Sequence, residues 1–280
     1  MSSLVARYAP TQMIPVARAP DTDSDRLIEA LDRFRREIEA HRGPAVTGED
    51  PEALHDFRVA VRRTRSGLKY SAGVLSPKKR KQFQAEFSQL QDVTGPARDY
   101  EVWIASLSED DPLRLVLAGY YDAARSDAVE ALDSRHTKQL LARWHTALAA
   151  LSRGSDAVSS EETIGEVQRR VMDAAANAGV EADATDLHRL RKRVKELRYL
   201  IELFVDSGQR PLRKPLKKLQ DALGDVQDVA VQRAWLTEHA DEVGPIDVRL
   251  KELDERDAVA RAAYGELFAQ FVALVGGTEQ

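Results

Sequence analysis

Apolar positions recur at helical spacing through most of this chain, beginning with Leu27, Leu31, Phe34 and Ile38 at offsets 0, 4, 7 and 11. That spacing keeps one side of a helix apolar and predicts a first helix from Asp23 to Arg42, ended by Gly43-Pro44. A second is predicted from about Pro51. Ser76-Pro77 closes it and opens a third that carries Phe83, Phe87 and Leu90. After Gly95-Pro96 a further helix runs from Ala97 to Leu107, and a long pair covers Pro112 to Ser152 with a break at Asp133-Ser134. The pattern restarts at Glu161 to Ala178 and continues at Thr185 to Asp206. Pro211 then opens a helix to Leu223, Asp225 another to Ala240, and Pro245 a last one to Val275. No alternating pattern supports a strand, so the fold class is all-α.

Two of these helices carry the same unusual face. In LHDFRVAVRRTRSGLKY, His55, Arg58, Arg62, Arg65 and Lys69 stand at offsets 0, 3, 7, 10 and 14. At 100° per residue they share roughly 80° of arc. In LHRLRKRVKELRYLIELF, His188, Arg191, Lys195 and Arg198 repeat the first four offsets. An apolar stripe lies beside each row: Phe57, Val61 and Leu68 in the first, Leu190, Val194, Leu197, Ile201 and Phe204 in the second. Cations at a core boundary are partly desolvated and need a counter-charge, either acidic side chains of the protein or an anionic ligand. Spacing alone leaves both open.

The duplication extends downstream. LQDVTGPARD, Leu90 to Asp99, aligns with LQDALGDVQD, Leu219 to Asp228, placing Gly95 on Gly224 and Asp99 on Asp228. The architecture expected is two antiparallel four-helix bundles related by an internal pseudo-twofold, with a basic central cavity where the repeated helices meet. The halves are read as 23–153 and 161–275, joined by the small polar stretch from Gly154 to Ser160. Residues 1–22, broken by Pro10, Pro15 and Pro20, are read as a disordered tail rather than a signal peptide.

Composition sharpens this picture. A hydrophobic content of 43% supports a substantial core, and the absence of cysteine excludes disulfides and thiolate metal sites and fits a cytoplasmic setting. The net charge of -5 conceals segregation: residues 55–81 carry nine Lys or Arg against one acid, and residues 185–218 eleven against four. An acidic body around two basic patches favours a local anion site over coating of DNA or membrane.

These motifs resemble the CHAD domain, the conserved histidine alpha-helical domain, over roughly residues 24–275. HDFRVAVRRTRS with GPARD is similar to the family's first-half signature, and HRLRKRVKELRYLIELF with LKKLQDALGDVQD to its second. The resemblance implies two four-helix bundles around a basic channel that binds inorganic polyphosphate, with some members at polyphosphate granules. Carried over by position, the binding residues would be His55, Arg58, Arg62, Arg63, Arg65 and Arg98 in the first half. Those of the second half would be His188, Arg191, Lys195, Arg198, Lys217 and Lys218. Lys69, Lys78, Lys79, Lys81, Arg135, Lys192 and Lys214 are weaker candidates. The chain departs from a symmetric pattern where Ser88 and Gln89 match Lys217 and Lys218, and where Glu202 matches Lys69. Family members are often fused to a CYTH domain, marked by E-x-E-x-K. The nearest string here, Glu37-Ile-Glu39-Ala-His41, lacks the lysine, so the chain reads as the binding domain alone.

The repeated histidines admit three readings: phosphate contact, a hydrogen-bonded structural role, and metal or phosphohistidine chemistry. Nearby cations should push their pKa down. No Gly-rich phosphate loop, paired-carboxylate motif or H-x-x-x-H accompanies them, so no enzymatic activity, metal or cofactor is expected. Nucleic acid is the competing ligand class, disfavoured by the acidic body. A metal-dependent phosphohydrolase is a third.

Overall fold

A computed structural model describes residues 22–154, 158–204 and 213–276. The N-terminal tail apart from Thr22, the middle of the Gly154–Ser160 junction and the Pro211 helix start lie outside the described residues. Eleven helices and no strand occur among the described residues. They are α1 (Asp23–Thr47), α2 (Ala53–Lys69), α3 (Pro77–Val93), α4 (Gly95–Ser106), α5 (Leu113–Asp133), α6 (Arg135–Ala149), α7 (Ser160–Ala175), α8 (Ala184–Phe204), α9 (Arg213–Glu238), the single turn α10 (Ala240–Val243) and α11 (Asp247–Gly276). None of the described helices is long and apolar enough to cross a membrane.

Local chemistry sets most of the starts. Thr22 Oγ1 accepts from the amide of Asp25 at 3.2 Å, and Ser134 Oγ from that of Thr137 at 3.1 Å, each satisfying an N–H that the first helical turn leaves free. Three boundaries differ from the sequence reading, the first being that α2 ends at Lys69, ahead of Ser76-Pro77, where the chain turns through Gly73 at φ 84°. α1 continues through Gly43-Pro44 for one more turn, because proline removes a single intrahelical bond while buried Ala45 anchors the extension. Gly48, at φ 76°, ends it by donating to the Pro44 carbonyl. In the second half, the break expected at Gly224 is absent and α9 runs unbroken. The first half has Pro96 after its glycine, which lacks the N–H to continue the ladder. Asp225, its counterpart, keeps that donor.

α1 packs against α2, α5, α6 and α8; α8 also packs against α2, α7 and α9, and α9 against α11. The apolar stripes read from sequence are buried as expected: Leu27, Leu31 and Ile38 of α1, Phe57, Val61 and Leu68 of α2, and Leu190, Val194 and Leu197 of α8 are at most 1% exposed. They belong to one continuous core that crosses the boundary at residue 153. A smaller core of Trp103, Leu113, Leu117, Val229, Leu236 and Leu253 joins α4 and α5 to α9 and α11. All three tryptophans serve packing: Trp144 is fully buried edge-on to Phe83 and Phe87, and Trp103 meets Trp235 edge-on at 5.1 Å. The two basic helices are therefore held side by side by cores on their apolar flanks.

Candidate functional site

The contact between α2 and α8 brings the two cationic rows into one electrostatic cluster. Lys195 of α8 shows this directly. Burial, then the charges of Arg191, Arg62, Arg198 and Arg65, lower its pKa from 10.5 to about 7. Two of those four arginines come from the other half of the chain. Burial is the first cause and the cations of both rows add to it, so the two rows meet around a part-buried ammonium.

Both halves then repeat one arrangement. A Cβ placed on Gly95 would lie 3.4 Å from Arg58 Nη1, and one on Gly224 would lie 3.6 Å from Arg191 Nη2. The guanidinium of each half thus lies against the helix backbone beside its glycine, at a distance that a methyl group would also allow. Arg58 is fixed there by donating to the Gln91 carbonyl at 2.8 Å and to Thr94 Oγ1 at 3.1 Å. His188 Nδ1–H donates to Gln227 Oε1 at 2.7 Å, and Arg98 stands near His55 in the position matching Gln227. Both histidines have lowered pKa values, as the cationic rows suggest, but burial is the larger cause in each. Arg98 adds to it at His55; at His188 the Gln227 bond opposes it, and Lys192, Arg191 and Lys195 lower further.

Apart from Arg58, held by Gln91 and Thr94, the candidate cations sort into three groups by what holds them. Five are ion-paired within the chain. Arg63 turns toward α1, reaching Glu37 at 3.5 Å and Glu202 at 3.7 Å with its guanidinium over the Phe34 ring. Lys69 is bound by Glu196. Arg98 pairs with Glu101 at 2.8 Å and Glu52 at 3.4 Å, Arg198 with Glu202 at 2.9 Å, and Lys217 with Asp221 at 2.6 Å. A second group is exposed: Lys78, Lys79 and Lys81 at the start of α3, Lys192 on α8, Lys214 and Lys218 on α9. Arg135, also exposed, opens α6, which packs against α1, α3 and α5.

The third group is different. Arg62, Arg65, Arg191 and Lys195 have no ion pair among the described residues, and the Nε atoms of Arg62, Arg65 and Arg191 are buried without an acceptor. Buried donors left unmade cost free energy, more so when they carry charge. Four part-buried cations from two helices, three with an unmet donor, form a site complementary to an anion.

Two acidic residues act as hubs: Glu196, which the sequence does not point to, and Glu202, which enters there only as the match to Lys69. Glu196 accepts from Lys69 and Tyr70 of the first half and pairs with Arg193 at 3.0 Å and Arg170 at 3.8 Å. Burial raises its pKa, but these bonds outweigh that and leave it lowered. Glu202, 9% exposed, ties Arg63, Arg198 and Arg213 together across three helices. The i,i+4 spacing of Arg198 and Glu202 was a legible signal for one of these pairs. The others depend on which helices meet.

The family model for the CHAD domain matches residues 29–237. The chain belongs to the CHAD domain family. Two curated relatives, uncharacterized proteins Rv2226 and MT2285 from two strains of Mycobacterium tuberculosis, are each 32% identical over 231 residues, covering 70% of this chain and 42% of the relative. The chain therefore spans less than half the length of these curated relatives. The crystal structure of the CHAD domain from the plant Ricinus communis is 26% identical with a TM-score of 0.66, covering 96% of this chain and 93% of that one. PptA from Streptomyces chartreusis shares the fold at 16% identity and a TM-score of 0.72, covering 88% of this chain and 99% of its own. Members of the CHAD family are associated with polyphosphate binding and metabolism.

Proposed function

We propose that this CHAD domain binds inorganic polyphosphate along the joined rows of α2 and α8, without turning it over. The observation that carries the reading is the unpaired cluster of Arg62, Arg65, Arg191 and Lys195, set where two halves of the chain meet. A linear polyanion with about one charge per internal phosphate can meet such cations in series, and counterion release supplies much of the free energy. From His55 to Lys69 the first row spans about 21 Å, room for several phosphates. Arginine forks can grip two phosphate oxygens each, while Lys195 contributes a point charge.

The test is calorimetric titration with long-chain polyphosphate, tripolyphosphate and single-stranded DNA, at two salt concentrations, on the wild type and an Arg62→Ala, Arg191→Ala double variant. The long chain should bind tightest, and the double variant should lose about a hundredfold in affinity and flatten the logarithmic salt slope by about 1.5. Equal binding of DNA, or a variant that binds as the wild type does, would overturn the reading. Phosphate release in the presence of Mg²⁺ or Mn²⁺ would show turnover and place the domain among hydrolases instead.

A further inference from the structure

A lysine ordinarily keeps its ammonium in water or against a carboxylate, as Lys69 does with Glu196, Lys138 with Asp133 and Lys217 with Asp221. Lys195 does neither. It is part-buried, and no carboxylate pairs with it among the described residues. On its own helix Arg191 and Arg198 stand one turn to either side, at spacings that share a face. From the other half, α2 packs against α8 at this level, where Lys69 is held by the adjacent Glu196, and brings Arg62 and Arg65 within electrostatic reach. Arg198 is satisfied by Glu202 and Gln220, at 2.9 and 3.0 Å. The Nε atoms of Arg62, Arg65 and Arg191 are buried without an acceptor.

Two chemical properties follow from that placement. An amine crowded by guanidiniums and drawn away from water is disfavoured as an ammonium, so it keeps a free lone pair near neutrality, which is how a lysine becomes a nucleophile. With a pKa of about 7 it is about half neutral near pH 7, where an unperturbed lysine is neutral in fewer than about 1% of molecules. The unmet guanidinium donors beside it suit a phosphoryl oxygen. A reagent that joins a phosphate to an electrophilic carbon therefore meets an anchor and a nucleophile in one place, and such positioning multiplies a rate that the neutral amine already raises.

We propose that Lys195 is an acylation site for small acyl phosphates, whose phosphoryl end is held by Arg62, Arg65 and Arg191. The Nζ lone pair attacks the acyl carbon. The N–C bond forms as the bond from that carbon to the bridging oxygen breaks, and phosphate leaves with the electron pair and takes up the amine proton. The products are an amide on Lys195 and inorganic phosphate, with no change of oxidation state. The amide carries no charge, so the modification removes a cation from the middle of the cluster. Its consequence for polyanions rests on the polyphosphate reading of the same site: the acylated domain should bind long-chain polyphosphate about tenfold more weakly, and a bound chain should shield Lys195.

The experiment treats the folded protein at about pH 8 with acetyl phosphate or with p-nitrophenyl acetate, an acyl donor without phosphate, and follows each lysine by peptide mass mapping. Exposed Lys192 on the same helix, with Lys78 and Lys218, serves as the internal reference. Acetyl phosphate should label Lys195 about tenfold faster than these, and p-nitrophenyl acetate should show a smaller preference. An Arg62→Ala, Arg191→Ala variant should lose the preference for acetyl phosphate. Labelling of Lys195 no faster than the references, or an equal preference with both reagents, overturns the proposal. Titration with long-chain polyphosphate before and after labelling separates the two readings. Selective labelling of a protein that binds no polyphosphate leaves the acylation site standing and ends the polyphosphate reading, whereas tight binding with unselective labelling does the reverse. A chain that binds without slowing the labelling places polyphosphate elsewhere and leaves the acylation site standing.

Discussion

Polyanion binding should draw a proton onto Lys195. Free, its pKa of about 7 leaves it about half protonated near pH 7 and about one-tenth protonated near pH 8. Burial is the largest cause of that depression and the arginines around it supply the rest, so a bound polyanion that offsets those charges returns the pKa toward 10.5. Because burial persists in the complex, full return is the upper limit, at about 0.9 proton taken up near pH 8 and an affinity falling about fiftyfold between about pH 7 and about pH 9; partial return gives a smaller uptake of the same sign. The pKa values of His55 and His188 are also lowered in the free protein and would be raised by the same polyanion, so a His55→Gln, His188→Gln variant separates their proton uptake from that of Lys195. The assay is calorimetry in buffers of different ionisation enthalpy, in which the observed heat varies with buffer in proportion to the protons taken up. A Lys195→Met variant should lose both the buffer dependence and the steep alkaline fall. Heats independent of buffer near pH 8, or the same uptake in the variant, would refute the reasoning and remove Lys195 from the site.

Two further predictions concern the frame. Glu202→Ala should destabilise the protein by roughly 3 kcal/mol in urea unfolding, because it strips the shared counter-charge from Arg63, Arg198 and Arg213; a loss under about 1 kcal/mol would mean that solvent already compensates those cations. Gly224→Ala should stabilise by up to about 1 kcal/mol, since it lies inside unbroken α9 and its new methyl would meet Arg191 only at ordinary contact distance; a lower melting temperature would show that the guanidinium cannot yield there.

Much of the architecture follows from spacing. The apolar stripes of α1, α2 and α8 are buried where their periodicity places them, and Ser76-Pro77 and Ser134 start helices by local capping. The alignment of Arg58 with Arg191 and of Gly95 with Gly224 reappears as one guanidinium-on-glycine contact in each half. Boundaries were less legible where a breaker's effect depended on burial, as at Pro44, or where a glycine had no proline beside it, as at Gly224.

What sequence by itself determined was the all-helical class, the two cationic rows and their repetition, because these depend on periodicity and near-neighbour chemistry along the chain. What only the tertiary structure decided was which cations remain available. Arg62 and Arg63 are adjacent and chemically identical, yet a 100° step turns one toward Glu37 and Glu202 and leaves the other with a buried, unmet donor. Ion pairing depends on inverse distance and local dielectric, both set by which helices pack together, so the same row of charges becomes scaffold at Arg63 and Lys69 and candidate ligand site at Arg62, Arg65, Arg191 and Lys195.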